Sequence, residues 1–182
     1  MASRTSTVPT GVERTFGASE VIVTKTDPQG RLTYANDVFC RVSALPEDEL
    51  LGKPHNVIRH PEMPGGVFKL LWDTLATGRE LFAYAVNLAG DGAHYWVLAH
   101  VTPSLDASGR LVGYHSNRRL PAPGTVREVQ PVYQVLLAEE RRHGHGPDAA
   151  AAGLALLGQL MSDQGTTYDE WVWDVTNRGG AR

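Results

Sequence analysis

Between residues 80 and 120, runs of strand-forming residues alternate with two tight glycine turns, and this pattern constrains the fold more than any other feature. Glu80 to Leu88, Ala93 to Pro103 and Leu111 to Leu120 are rich in β-branched and aromatic residues. They are joined by Ala89-Gly90-Asp91-Gly92 and by Asp106-Ala107-Ser108-Gly109. In such turns glycine takes the positive φ and aspartate supplies local hydrogen bonds, which is hairpin chemistry. Connections this short admit only antiparallel neighbours, because a parallel pair needs a crossover of a dozen or more residues. Three consecutive strands therefore form the body of a sheet.

Upstream, Glu20 to Asp27 alternates β-branched residues and is followed by Pro28-Gln29-Gly30 and a second run, Arg31 to Ala35; this predicts another hairpin. Asn36-Asp37 caps a short helix carrying Val38, Phe39, Val42 and Leu45, and Pro46 to Leu51 predicts a second, stopped at Gly52. Pro64 to Thr77 predicts the best helix of this half, with Val67, Leu70, Leu71 and Leu75 on one side and Gly78 as its stop. Two strands, short helices, a longer helix and three antiparallel strands make an α+β fold with helices on one face of the sheet. Residues 1–18 read as a flexible leader, 19–120 as the domain, and 121–182 as a C-terminal helical extension. In the extension, Thr125 to Arg142 and Ala149 to Met161 predict helices, and Tyr168 to Val175 offers aromatic anchors.

The bulk numbers narrow the function. The 182 residues, 42% of them apolar, fit one domain with an appendage. A net charge of -3 with interspersed signs disfavours nucleic acid, whose phosphates call for a basic surface. There is no apolar run of about 20 residues to enter a membrane. The single cysteine, Cys40, forms no intrachain disulfide and fits a reducing, cytoplasmic setting. No Ser/His/Asp set, paired-acid frame or nicotinamide fingerprint is present, so the chain is not expected to be an enzyme.

Three stretches carry a family resemblance: Tyr34-Ala35-Asn36-Asp37-Val38-Phe39, Gly52-Lys53-Pro54-His55-Asn56-Val57-Ile58-Arg59-His60-Pro61-Glu62-Met63-Pro64, and Gly92-Ala93-His94-Tyr95-Trp96-Val97. Residues 19–120 resemble a PAS domain. The central stretch, with His-Asn-x-x-Arg-His-Pro-x-Met-Pro, resembles in particular the flavin-binding PAS domain of bacterial aerotaxis receptors. That resemblance implies a PAS fold with a five-stranded antiparallel sheet, FAD held between its inner face and the short helices, and a redox or oxygen sensor that signals by protein contact.

A flavin dinucleotide asks for cations at its diphosphate and for mixed hydrogen bonding at its ring edge. Arg59 suits the first, because a guanidinium forks onto phosphate oxygens, with His60 as a further donor and the Gly65-Gly66 helix start supplying N–H groups. Asn87 suits the second: a carboxamide both donates and accepts, and the resemblance places a flavin-contacting Asn there. Asn36 matches another family position, with helix capping as its alternative role. Trp72 and Trp96 are candidates to line the ring, with core packing as the alternative. Glu62 stands where the family usually has aspartate, and Leu81 where it usually has tryptophan. A light-oxygen-voltage photoreceptor is disfavoured, since the stretch from Pro54 to Arg59 holds no thiol and Cys40 reads as a small buried hydrophobe. Haem is a minor alternative with His55 or His60 as axial ligand. No zinc spacing is present.

Aerotaxis receptors carry membrane helices and a long coiled coil that this sequence lacks, so a downstream signalling protein is expected in trans. A second alternative is a ligand-free PAS module that mediates dimerisation. Leu136-Leu137, Leu154, Leu156-Leu157, Leu160, Trp171 and Trp173 leave the extension two options: folding back on the sheet, or, as favoured from sequence, pairing in a homodimer.

Overall fold

The computed structural model describes residues 7–180. Strands β1 (Ile22–Thr26) and β2 (Leu32–Ala35) form the first hairpin. Then come α1 (Asp37–Ser43), α2 (Glu47–Leu50), a 3-10 turn at His55–Ile58 and α3 (Gly65–Ala76). Strands β3 (Leu81–Leu88), β4 (His94–Leu105) and β5 (Leu111–Arg119) follow the predicted meander. The extension is α4 (Pro123–Arg142), α5 (Pro147–Asp163) and α6 (Tyr168–Gly180). Helix α6 starts in a capping box: Glu170 accepts from the Thr167 N–H at 2.8 Å, and Thr167 Oγ1 accepts from the Glu170 N–H at 3.3 Å.

The strands form one antiparallel sheet in the order β2-β1-β5-β4-β3, so β3 lies at an edge. Register decides which residues share a face, because directly opposed residues point the same way. Ala83 opposes Ala99, Ala99 opposes Arg118, and Arg118 opposes Ile22. These, with Asn87, Ser116 and Thr24, look toward α1, α3 and the 3-10 turn. Tyr84, Val86 and Trp96 look the other way.

That second face is covered by the chain itself. Tyr84, Val86 and Trp96 are buried in one apolar cluster with Val129, Tyr133, Leu136, Leu157, Trp171 and Val175. Tyr133 Oη donates to the Tyr84 carbonyl at 2.5 Å, and its ring lies 6.0 Å from that of Trp96. Helices α4 and α6 thus pack on the far side of β3, while α5 lies along α3. The apolar residues that favoured pairing between copies are used within the chain, so the extension takes the fold-back option. Trp173 keeps 44% exposure while resting against Phe82.

The leader also differs from expectation. Residues 1–6 lie outside the described residues, but Thr10 N–H donates to the Gly92 carbonyl and Arg14 N–H to that of His94. Glu13 forms a parallel bridge with His94, and Phe16 is buried. The segment is held by edge backbone pairing, which needs no apolar period and leaves little trace in sequence. Gly92 is required at this approach: its φ is +88°, and a Cβ there would sit 2.5 Å from the Val8 carbonyl oxygen.

Candidate functional site

A cavity of about 230 Å³ lies between the sheet face of Ala83, Ala99 and Arg118 and the inner side of α3. It exists because its floor is built of small side chains, Ala83, Ala85 and Ala99, while α3 roofs it with Val67, Phe68, Leu71 and Leu75. Its volume is below the roughly 300–1,000 Å³ of many small-molecule pockets. That is room for a compact ring system, with any longer tail leaving through the mouth. Trp72 and Tyr114 stand at that mouth, edge to face at 5.3 Å, and Trp72 is 44% exposed.

Polar groups are few and sharply placed. Asn87 lines the cavity from β3, is buried, and its Nδ2 has no hydrogen-bond partner. The buried hydroxyls of Thr26 and Ser116, also in the lining, are likewise without partners. An orphaned buried donor costs about 1–3 kcal/mol, so such groups normally await a ligand or water.

Arg118 reaches the same cavity from β5. Its guanidinium, buried, donates to Thr24 Oγ1 at 3.1 Å and to His55 Nε2 at 2.7 Å. Among the described residues no carboxylate forms an ion pair with it. Burial alone brings its pKa down to about 10. Burial, reinforced by that cation, holds the His55 imidazole well below the usual histidine range. His55 is therefore neutral, with Nε2 as acceptor and the proton assigned to Nδ1. The result is a positive, largely apolar cavity that favours a ligand carrying electron density or negative charge.

The residues singled out from sequence divide clearly. Arg59, Trp72 and Asn87 come together around the cavity. Arg59 also joins Asn87 through a backbone bridge, and its guanidinium covers the Phe68 ring at 4.6 Å while donating to the Met63 carbonyl. Asn36 does not reach the cavity. It takes its capping role fully: Oδ1 accepts from the N–H groups of Phe39 and Val23, and Nδ2 donates to the Val21 carbonyl. His60 is buried outside the lining, with Nδ1 accepting from the Glu62 N–H and its ring edge-on to His94. Glu62 is exposed and outside the lining. Trp96 is on the opposite sheet face, so it is a core residue and not a ring-lining one.

The Gly65-Gly66 helix start is not open to phosphate. Glu140 of α4 fills it, its two carboxylate oxygens accepting from Gly65 N–H at 2.9 Å and Gly66 N–H at 2.7 Å. Haem ligation also loses support: the Nε2 of His55 is engaged by Arg118, and His60 is outside the lining. Cys40 is only partly buried and lies outside the cavity, its thiol pushed up by burial and by Glu47 and Asp37. Sequence reasoning missed Arg118, although the alternation Tyr114, Ser116, Arg118 along β5 was available to place it inward.

Comparison with known proteins supports the same region. A family model for the PAS fold matches residues 12–116. The aerotaxis receptor of Escherichia coli (strain K12) is 38% identical over 117 residues, covering 64% of this chain and 23% of the receptor. A nitrogen fixation regulatory protein of Klebsiella pneumoniae is 29% identical over 101 residues, covering 56% of this chain and 20% of that protein. The chain thus spans about a quarter or less of these relatives. Among solved structures, an RNA-binding light-oxygen-voltage receptor superposes with TM-score 0.53 at 24% identity, covering 69% of this chain and 36% of that one. A light-oxygen-voltage domain studied with a flavin analogue gives 0.52 at 17% identity, covering 68% and 87%. With its five-stranded antiparallel sheet, the helices across the cavity and the match over residues 12–116, the chain belongs to the PAS family.

Proposed function

We propose that this PAS protein binds a flavin, FAD, and passes its redox state, as a report of oxygen or electron supply, to a downstream protein by contact. The observation that carries this reading is the buried Asn87 amide, turned to the cavity with an unsatisfied Nδ2 beside Arg59. A flavin ring edge offers an acceptor for such a donor. The small-residue floor suits a flat ring, and Arg59 in the cavity lining supplies a cation for a diphosphate leaving the mouth. The similarity to an aerotaxis receptor, 38% identical over 117 residues, supports the sensory part of this reading.

When bound, the flavin supplies reversible electron transfer. The chain's own residues orient and sense it. Asn87 holds the ring edge, α3 excludes water from one ring face, and Arg118 with neutral His55 keeps the cavity positive. A change in the charge or hydrogen-bonding pattern of the ring alters what Asn87 and Arg118 face. A mismatched buried amide, at about 1–3 kcal/mol, is enough to bias a two-state arrangement. No described helix is long and apolar enough to cross a membrane. In our reading the protein is cytoplasmic and meets its downstream signalling protein in trans.

The site assignment is tested by Arg59→Ala and Asn87→Ala, followed by gel filtration and cofactor extraction. Both variants are expected to keep the fold and lose or loosen FAD. Full retention of FAD by both refutes the assignment.

A further inference from the structure

We infer that Glu140 is a latch through which the C-terminal helices read the state of the cavity. The inference rests on the flavin reading for its ligand, but not for its geometry.

Helix α3 has no side-chain cap of its own: its N-cap is Pro64, and its first residues are two glycines. Its free N–H groups form a positive helix end that attracts an anion. The carboxylate of Glu140, 75 residues downstream of Gly65, takes that place with one oxygen on each of two N–H groups. Glu140 is only 9% exposed, so these charge-assisted bonds are shielded from water. Close approach is built in on both sides. A Cβ at Gly153 would lie 2.2 Å from Glu140 Oε1, and one at Gly66 would lie 2.5 Å from the Leu154 nitrogen. Small residues on α3 and α5 thus let the carboxylate sit between the helices.

The opposite side of the same helix is the cavity roof. Val67 and Phe68 line the cavity within one turn of the latched N–H groups. Arg59 lies over Phe68 and donates to Met63, which leads into α3. A ligand that packs under Val67 and Phe68 and engages Arg59 fixes the position of the α3 start, and the Glu140 bonds depend on that position. By reciprocity, whatever strengthens the latch strengthens ligand binding by the same factor. The extension is then an output element docked in cis, its release set by how the cavity is filled.

The test is hydrogen exchange on the full chain, read over residues 147–180, with FAD bound or removed. In the wild type, FAD is expected to slow exchange there. Glu140→Gln keeps the shape and removes the charge. Gly153→Ala pushes the carboxylate out and leaves the charge. Either is expected to weaken FAD binding about fivefold or more and to abolish the effect of FAD on exchange. FAD bound, as its spectrum shows, with unchanged exchange over residues 147–180, overturns the latch and leaves the flavin reading intact. Should FAD not bind at all, the flavin reading falls and Ala99→Phe, which fills the cavity from its floor, decides the latch. Altered exchange over residues 147–180 in that variant, absent when Glu140→Gln is added, sustains it; unaltered exchange overturns it.

Discussion

Replacing Asn87 by leucine separates the cost of the site from its use. In the ligand-free protein the Nδ2 of Asn87 is buried without a partner, a penalty of about 1–3 kcal/mol. Leucine has similar reach, fits the neighbouring Ala83, Ala85 and Val67 surface, and brings no orphaned donor. Asn87→Leu is therefore expected to stabilise the ligand-free protein by about 1–3 kcal/mol. For a chain of this size each kcal/mol moves the melting midpoint by about 2–4 °C. With FAD the order reverses: wild type gains about 2.7 kcal/mol at a hundredfold excess over Kd, and the variant gains little. Denaturant titration with and without FAD reads both halves. A variant that is less stable without ligand, or that gains as much from FAD as wild type, refutes the role given to this amide.

Two tryptophans make a contrasting pair. Trp96→Ala removes a buried ring packed on Tyr133 and is expected to destabilise by about 3–5 kcal/mol. The spectrum of any flavin retained should not change. Trp72→Ala, at the exposed mouth, is expected to cost far less stability and to raise the FAD dissociation rate; equal effects of the two on flavin release contradict their placement. The depressed pKa of His55 has a definite sign. The unfolded chain takes up a proton near pH 6.5 that the folded imidazole resists, so stability is full above that pH and falls below it. The slope contributed is at most about 1.4 kcal/mol per pH unit. His60, also depressed by burial, adds in the same direction. His55→Gln is expected to flatten the acid limb of the stability profile between about pH 6.5 and 5, and an unchanged limb contradicts the buried neutral imidazole.

The sheet was legible because its information is local: hairpin glycines and period-2 alternation specify neighbours a few residues apart. The first two helices of the extension were legible in the same way, but not where their apolar faces go, and α6 was read only as a run of aromatic anchors. Nothing near Leu136 or Leu157 says that the partner surface is Tyr84, Val86 and Trp96 and not a second copy. Trp96 was misassigned for a related reason. Both faces of β4 carry apolar residues, and only register against β3 and β5 shows which one meets α3. Asn87 and Arg59 were singled out by ring-edge and phosphate chemistry together with family resemblance, and both line the cavity. Arg118 was missed since an arginine on a strand normally faces water, and its burial depends on His55 and Thr24 from other elements. Glu140 was invisible for the same reason: its partners are two backbone N–H groups with no side chain to mark them.

Flavin occupancy of the cavity is read most directly from the absorption spectrum of the purified full chain, before and after incubation with excess FAD and removal of the unbound fraction. The two-band flavin spectrum, with FAD recovered on denaturation and diminished in Asn87→Leu, is the expected result. Protein that stays colourless after that incubation contradicts the assignment.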